Sequence, residues 1–212
     1  VVNDQKVELI SVCTPNNTHS EIAISALKNG KHVWCEKPMS SSMEDSQKMA
    51  EASLNTNAKT IIGYNYTKNP IVIHAKEMIE KGTIGRVSGF FCRYDVDNEA
   101  DGKKPWSWRM SKKLSGTGAN GDILSHVISI AHYLTNSKIS RVVGDISIIH
   151  NKRIDPKNNE KTKEVDNDDM VSALVHFENG VHGHIGASRV SWGKKCGLLW
   201  EVHGTDGTIC YN

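Results

Sequence analysis

The sequence lacks any long run of apolar residues and any marked excess of charge of one sign. Its longest apolar stretches are a handful of residues, far short of the roughly 20 that a membrane-spanning helix needs. Lysine and arginine number 26 against 24 aspartate and glutamate residues, which leaves a small positive balance. We therefore expect neither a membrane nor a nucleic acid as a partner.

Paired cysteines are also missing. The five cysteines are odd in number, and no two of them form a C-x-x-C pair. This pattern is typical of reduced thiols in a cytoplasmic protein, and it argues against a zinc site built on cysteine. We find no internal repeat and no low-complexity tract.

An initiator methionine is absent as well. The chain begins at Val1, and it ends at Tyr211-Asn212 inside what the pattern predicts to be a strand. We expect an internal piece of a longer protein, so the absence of a signal peptide is uninformative. With 212 residues, the chain is long enough for a sizeable core and for two domains or parts of them.

The first third of the chain predicts a parallel sheet. Val7–Cys13 and Lys31–Cys35 read as strands separated by a helical pattern, and Lys59–Gly63 reads as a third strand. The handedness of such strand–helix–strand units makes their strands parallel. Thr14–Asn17 and Glu36–Pro38 should therefore open at the same edge of the sheet, which is where ligands bind.

Three helices are predicted from their caps and from apolar residues at helical spacing. Their expected starts carry a capping box or a proline, namely Thr18 with Glu21, Ser41 with Glu44, and Pro70. Their expected ends are Gly30, about Leu54, and Gly82. The expected apolar faces are Ile22, Ala23, Ala26 and Leu27 on the first helix, and Ile71, Ala75, Met78 and Ile79 on the third.

Beyond Gly85 the pattern predicts one helix set against several mostly antiparallel strands, an α+β layer. The helix should run from about Asn120 to Leu134, and Glu178-Asn179-Gly180 should form a hairpin turn. The expected strands are Val87–Val96, Arg141–His150, Met170–Phe177, Val181–Ser188, Leu198–His203 and Thr208–Tyr211. The polar stretches Asp97–Ser115 and Asn151–Asp169 are expected to be loops, the second of them solvated because it is highly charged.

Gly116–Gly121 matches G-x-G-x-x-G, but its context excludes a dinucleotide fingerprint. That fingerprint follows a buried strand and precedes an acid by about 20 residues. Here the preceding Trp108–Ser115 is polar and basic, and Ile130–Val143 contains no acid. We expect these glycines to bring backbone amides close to a ligand at the start of the next helix.

Two further groups of residues are candidates for chemistry. Asp122 and His126 stand four apart on a predicted helix and so share one face, where an imidazole can take a proton from a hydroxyl. Alternatives are an exposed ion pair or a metal pair, although no third ligand has obvious spacing.

Lys37 follows a strand and can face a ligand, or it can form a solvated charge pair with Glu36. Cys35 lies inside a strand, so we expect a buried and inert thiol; His182 and His184 should lie on the surface.

These residues, in this order, resemble the glucose–fructose oxidoreductase / inositol dehydrogenase / rhizopine-catabolism (Gfo/Idh/MocA) family. The matching pieces are Cys13-Thr14-Pro15-Asn16 with His19, Ala26-Leu27 with Gly30-Lys31-His32-Val33, Glu36-Lys37-Pro38, Gly63-Tyr64-Asn65 with Pro70, Gly82 with Ile84-Gly85, Trp108-Arg109, Gly116 with Gly121-Asp122 and His126, and Trp200-Glu201-Val202 with Gly204-Thr205 and Gly207-Thr208. They cover nearly the whole chain.

The resemblance implies an α/β Rossmann domain with a parallel sheet, truncated at its N-terminus, in residues 1–66. It implies an α+β domain with a largely antiparallel open sheet, incomplete at its C-terminus, in residues 67–212. The implied cofactor is NAD or NADP, and the implied positions that line it are Thr14, Pro15, Asn16, His19, Glu36, Lys37, Asn65, Trp108 and Arg109.

The same resemblance implies an NAD(P)-dependent oxidoreductase that transfers a hydride to or from a sugar or cyclic polyol, and a homo-oligomer formed through the open sheet. By this analogy Lys37 polarises the reacting oxygen, His126 exchanges its proton, and Asp122 holds both substrate and imidazole. Alternatives are a non-catalytic relative that senses a dinucleotide or sugar, and an NAD-dependent glycoside hydrolase. The family's phosphate loop and ribose-binding acid are expected before Val1, and Ser129 and Thr67-Lys68 depart from common family residues. The choice between NAD and NADP and the identity of the substrate therefore stay open.

Overall fold

The computed structural model describes residues 1–212, which form two compact units. The first comprises Val1–Tyr64 and Ser107–Thr117, and the second comprises Asn65–Trp106 and Gly118–Asn212. Residues 107–117, which the sequence-based division places in the second domain, thus pack with the first unit. No helix combines the length and the apolar content that crossing a bilayer requires.

The first unit contains a three-stranded parallel sheet with strand order β1-β2-β3. The strands are β1 (Leu9–Val12), β2 (His32–Cys35) and β3 (Thr60–Ile62). Its helices are α1 (His19–Lys28) and α2 (Met43–Leu54), and a short helix, α4 (Lys112–Ser115), belongs to the same unit. The predicted parallel strand–helix–strand order is confirmed.

The core of the first unit shows why its residues fold in this way. One face of the sheet buries alternate strand residues, among them Val12, Val33 and Cys35, against Ala23 and Ala26 of α1. Alternation in the strands and a spacing of three to four in the helix bring these apolar groups together. The predicted face of α1 is confirmed for its buried members.

Two predicted caps are wrong in detail. Thr18 makes no capping hydrogen bond to α1, since its hydroxyl donates to the Pro15 carbonyl oxygen at 2.8 Å within a 3₁₀ turn that leads directly into the helix. Helix α2 is capped one residue later than predicted, by Ser42, whose hydroxyl accepts from the Asp45 amide at 3.1 Å. Gly30, by contrast, ends α1 with a positive φ of 71° as expected.

The second unit is a six-stranded mixed sheet with helices against one face. Its strand order is β11-β10-β4-β9-β8-β5, and all neighbours are antiparallel except β4 and β9. The strands are β4 (Val87–Asp95), β5 (Ile139–Ser147), β8 (Met170–Phe177), β9 (His182–Ser188), β10 (Gly197–Gly204) and β11 (Thr208–Tyr211). The expected α+β layer is confirmed.

The helices of this unit are α3 (Pro70–Glu80) and α5 (Ser125–Thr135). The core is formed by the apolar side of α5, including Val127 and Ile130, packed on Phe90, Ile185 and Trp200 of the sheet. The predicted face of α3 is wrong at Ile71, which is 51% exposed, because the neighbouring Val72 is buried in its place; the predicted Ala75 is buried as expected.

Residues 151–169 are not the solvated loop that their charge predicts. They contain a hairpin of β6 (Lys152–Asp155) and β7 (Asn158–Glu164). Arg153 is 2% exposed and donates to the carbonyl oxygens of Asp101 and Glu99. The loop 97–115 also has local structure, with a 3₁₀ turn at Trp108–Met110 before α4. Composition alone could not reveal these contacts, because each buried charge here is satisfied by residues distant in sequence.

Candidate active site

The parallel strands of the first unit end at one edge of the sheet. The Glu36 amide donates to the Val12 carbonyl oxygen, and the Gly63 amide donates to the Cys35 carbonyl oxygen, both at 2.9 Å. The polar loops that follow β1, β2 and β3 therefore leave the sheet side by side. This confirms the expectation that Thr14–Asn17 and Glu36–Pro38 open at a shared edge.

The loop after β1 presents exposed Thr14 and Pro15. The Thr14 and Thr18 hydroxyl oxygens lie 2.7 Å apart, within hydrogen-bond distance. Asn16 is turned inward instead, because its side-chain amide donates to the Ser115 carbonyl oxygen at 2.9 Å. That bond fixes the loop to the end of α4.

His19 is placed differently from its neighbours in the motif. Its ring is 1% exposed, with Nε2 2.8 Å from the Thr14 carbonyl oxygen and Nδ1 3.0 Å from the Pro38 carbonyl oxygen. The imidazole thus joins the loop after β1 to the loop after β2. Both ring nitrogens are engaged by the backbone of the chain itself.

The loop after β2 carries half-buried Glu36 and Lys37, followed by a cis peptide bond at Pro38. The Glu36 carboxylate lies over Gly63, where a Cβ would approach Oε1 to 3.2 Å. Cys35, directly before this pair, is buried, and burial together with the nearby Glu36 raises the pKa of its thiol to about 11. The expectation that Cys35 is buried is confirmed, and its inertness stays a prediction.

Trp108 and Arg109 form the remaining part of the site in the first unit. The Arg109 guanidinium carbon lies 4.5 Å from the centre of the Trp108 ring, a cation–π contact on a 3₁₀ turn. Arg109 is exposed and Trp108 is half-buried. Such a pair offers a flat apolar surface and a positive charge to a ligand.

In the second unit, Asp122 and His126 lie on one continuous helical segment that is not a regular α-helix. Asn120–Leu124 forms a π-helical turn that leads into α5. A π turn inserts extra backbone into a helix and occurs frequently at functional sites. Asp122 is half-buried and His126 is 7% exposed. The structure contains no group of three or more His, Cys, Asp or Glu residues placed to hold a metal ion.

The ring of His126 packs against two tyrosines that the sequence reading missed. The Tyr66 ring lies edge-on at 4.9 Å between centroids, and Tyr94 lies at 6.3 Å. The two phenol oxygens are 2.7 Å apart, and the Tyr94 oxygen is 3.3 Å from the Cys196 sulfur. Burial raises the pKa of both phenols, so they stay neutral at physiological pH. Asn65, one residue before Tyr66, is exposed.

The glycine-rich stretch does not offer its amides to a ligand, so that expectation is wrong. The amides of Gly118 and Asn120 donate to the Asp168 carboxylate at 2.8 and 2.6 Å. Asp168 lies in the segment expected to be a solvated loop, and nothing in its neighbourhood in the sequence signalled this role.

Comparisons with known proteins bear on the chemistry of this site. Residues 1–64 match the model of an oxidoreductase family with an NAD-binding Rossmann fold, and residues 72–210 match the GFO/IDH/MocA C-terminal domain.

Individual relatives agree with the family match. Levoglucosan dehydrogenase of Pseudarthrobacter phenanthrenivorans is 36% identical over 100% of this chain and 57% of its own length. The scyllo-inositol 2-dehydrogenase (NAD(+)) of Bacillus subtilis is 29% identical over 99% of this chain and 56% of its own length. The chain thus spans about half the length of these curated relatives.

Solved structures agree as well. A levoglucosan dehydrogenase in complex with NADH and levoglucosan superposes with a TM-score of 0.95 at 38% identity, over 100% of this chain and 56% of that protein. The fold, the two matched domains and these identities lead to one conclusion: the chain belongs to the GFO/IDH/MocA family of oxidoreductases.

Proposed function

We propose that the protein containing this chain transfers a hydride between a nicotinamide dinucleotide and a hydroxyl-bearing carbon of a sugar or cyclic polyol. The observation that carries the proposal is the shared strand edge, where Thr14, Glu36 and Lys37 lie on adjacent loops. Ligands of open α/β sheets bind at this edge. The relatives named above act on levoglucosan and scyllo-inositol by their names, which supports this class of substrate.

The residues at the edge suit a dinucleotide. Thr14 is exposed and carries a hydroxyl group, Glu36 lies over a glycine with no side chain in the way, and Trp108 with Arg109 offers a flat ring and a charge. We propose that these residues hold NAD or NADP together with Pro15, Asn16, Lys37 and Asn65. His19 serves the same site indirectly, by holding the Thr14 and Pro38 backbone. When bound, the nicotinamide supplies the hydride acceptor or donor.

The catalytic residues we propose are Lys37, Asp122 and His126. The ammonium of Lys37 stabilises negative charge that develops on the reacting oxygen. The imidazole of His126 takes the hydroxyl proton, a role in which histidine is the side chain most often used. Asp122 orients the substrate and the imidazole. Positioning of the reacting groups supplies much of the acceleration of a reaction such as hydride transfer.

Activity of the full-length protein on a panel of sugars tests the proposal. We expect NAD or NADP to be reduced when the protein is given levoglucosan, scyllo-inositol, myo-inositol or glucose 6-phosphate. The absorbance of the reduced nicotinamide measures this reaction. Binding of cofactor and sugar without reduction would favour the sensing relative. Release of free sugar from a glycoside with no net change in absorbance would favour the NAD-dependent hydrolase.

Substitution of the proposed catalytic residues tests their roles. Lys37→Ala and His126→Ala should each lower kcat at least ~100-fold, the usual worth of acid–base and charge stabilisation. Matched controls are the exposed Lys28→Ala and His74→Ala, which should stay within about twofold of the wild type. Wild-type turnover in either Lys37→Ala or His126→Ala would contradict the assignment.

We also infer that the protein forms a homo-oligomer through the open face of the six-stranded sheet. That face carries apolar side chains without a helix over them, including Val143 and Leu174, which are 76% and 61% exposed. Exposed apolar patches of this kind often mark protein interfaces.

A further inference from the structure

Three consecutive polar residues, Asn167, Asp168 and Asp169, are buried at 4%, 5% and 1% exposure. Asp168 receives the amide hydrogens of Gly118 at 2.8 Å and of Asn120 at 2.6 Å on its two carboxylate oxygens. Its backbone carbonyl oxygen accepts from the Ala119 amide at 2.8 Å. A single residue thus engages three successive amides at the start of the helical segment that carries Asp122 and His126.

The next residue fixes this contact to the sheet. The Asp169 carboxylate accepts from the amides of Ile149 and His150 at 2.7 and 3.1 Å, and from Nε of Arg189 at 2.7 Å. Arg189 in turn donates to the Asn167 side-chain oxygen at 2.8 Å. The segment 167–169 therefore connects the ends of two strands to the start of one helix.

The arrangement is rigid for physical reasons. Hydrogen bonds to a buried carboxylate are stronger than neutral ones, and a negative charge is stabilised by the amides at the start of a helix. Gly118 has no room for a side chain, because a Cβ would collide with the Asp168 carbonyl oxygen. The helix can neither slide along its axis nor turn about it without breaking these bonds.

We propose that Asp168 is a positioning residue for the reaction, acting through the π-helical turn on His126 and Asp122. The inference rests on the proposed function, since it assigns a role to the support of the proposed proton-transfer residues. A displacement of about 1 Å in a catalytic group can cost on the order of a hundredfold in rate. Asp168 holds the helix within that tolerance.

The first test is Asp168→Asn in the full-length protein. The carboxylate of Asp168 accepts from two backbone amides, one on each oxygen. Asparagine has one side-chain oxygen, so its NH₂ group, which is a donor, would face the other backbone amide. We expect kcat to fall at least about tenfold while KM for NAD stays within about twofold. The exposed Asp145→Asn serves as a control and should leave both constants unchanged. If Asp168→Asn melts below the assay temperature, Asp168→Glu replaces it, because it keeps both oxygens and shifts them by one methylene.

A double-mutant cycle separates positioning from general stability. In the His126→Ala background, Asp168→Asn should lower kcat by less than about twofold. The reason is that Asp168 contributes by positioning the His126 ring, and this ring is absent from that variant. The NMR resonances of the His126 ring should shift in Asp168→Asn, whereas those of the exposed His74 should not. Equal losses of kcat in both backgrounds, or wild-type turnover of Asp168→Asn, would overturn the inference.

The two proposals fail in distinguishable ways. Wild-type turnover of His126→Ala together with Lys37→Ala would overturn the proposed function. An inactive His126→Ala alongside a fully active Asp168→Asn would overturn only the positioning role.

Discussion

His19 illustrates at the scale of one residue how a motif can act without touching a ligand. Each of its two ring nitrogens lies within hydrogen-bond distance of a backbone carbonyl oxygen, that of Thr14 or that of Pro38. The family resemblance places His19 at the cofactor, but the ring is buried beneath the loops that present Thr14 and Lys37. The contribution we expect from His19 is therefore the geometry of those loops.

His19→Ala should lower the free energy of unfolding by about 1–3 kcal/mol, because the variant loses a buried ring that contacts the carbonyl oxygens of Thr14 and Pro38. It should also weaken NADH binding, since the Thr14 and Lys37 loops lose their connection. Urea denaturation and fluorescence titration with NADH measure the two effects. His74→Ala, at an exposed site on α3, should change the free energy of unfolding by less than about 0.5 kcal/mol.

Cys35 shows how burial decides reactivity. With its pKa raised to about 11, its thiolate fraction near pH 8 is on the order of one in a thousand. Iodoacetamide at that pH should label the exposed Cys13 and Cys210 well before Cys35 in the native protein. Peptide mass spectrometry reads out each site, and rapid labelling of native Cys35 would contradict the buried placement.

At the scale of elements, the sequence predicts whether a segment is a helix or a strand better than it predicts the residues at which that helix or strand begins and ends. Strand β8 matches its predicted bounds, Met170–Phe177, and the turn after it holds Gly180 at a φ of 86°. The cap of α2 moves from Ser41 to Ser42 because both serines precede an acid at the spacing of a capping box. Only the path of the chain into the helix decides between them.

Helix α5 carries a titratable group whose protonation opposes folding. Partial desolvation of the ring, and secondarily the charge of Lys138, lowers the pKa of His132 below its usual 6.5. The Ile139 amide lies 3.4 Å from His132 Nε2, where a neutral ring accepts. The unfolded chain binds a proton more readily than the native protein does, so this residue makes stability fall as pH drops through about 6.5.

His132→Gln removes that titration and keeps an acceptor for Ile139. The free energy of unfolding of the wild type should therefore fall more than that of the variant between about pH 7.5 and about pH 5.5. Denaturant titrations at the two pH values measure the difference. Parallel losses in the two proteins would contradict the assignment.

At the scale of the whole molecule, the six-stranded sheet has one face covered by α5 and one face open. The open face carries Leu174 of β8 and Val143 of β5, which are paired in register. His176, also on β8, is paired with His182 of the neighbouring β9. Its apolar side chains would contact water in a monomer, which supports the inference of a homo-oligomer.

Val143→Lys combined with Leu174→Lys should shift the full-length protein toward monomer, because charge buried in an interface is costly. Light scattering after size exclusion measures the mass. Ile71→Lys, at an exposed position on α3, is the matched control and should leave the mass unchanged. An unchanged mass for the double variant would rule out this face as the interface.

The sequence by itself determined the parallel strand order, the edge that carries Thr14, Glu36 and Lys37, and the α+β layer after residue 85. These features follow from local periodicity and from the handedness of strand–helix–strand connections, which need no knowledge of distant contacts. The family motifs added the candidate residues by resemblance.

Only the tertiary structure decided which polar groups are buried and by what they are satisfied. Gly118 and Asp168 are 50 positions apart, and Tyr94 and Cys196 are 102 apart. No local pattern encodes such pairs, because a carboxylate or a phenol looks solvated in sequence until the fold brings it a partner. Pairing of polar groups with distant residues likewise explains why the charged stretch 151–169 contains a hairpin and buried residues that contact the start of the helical segment of His126.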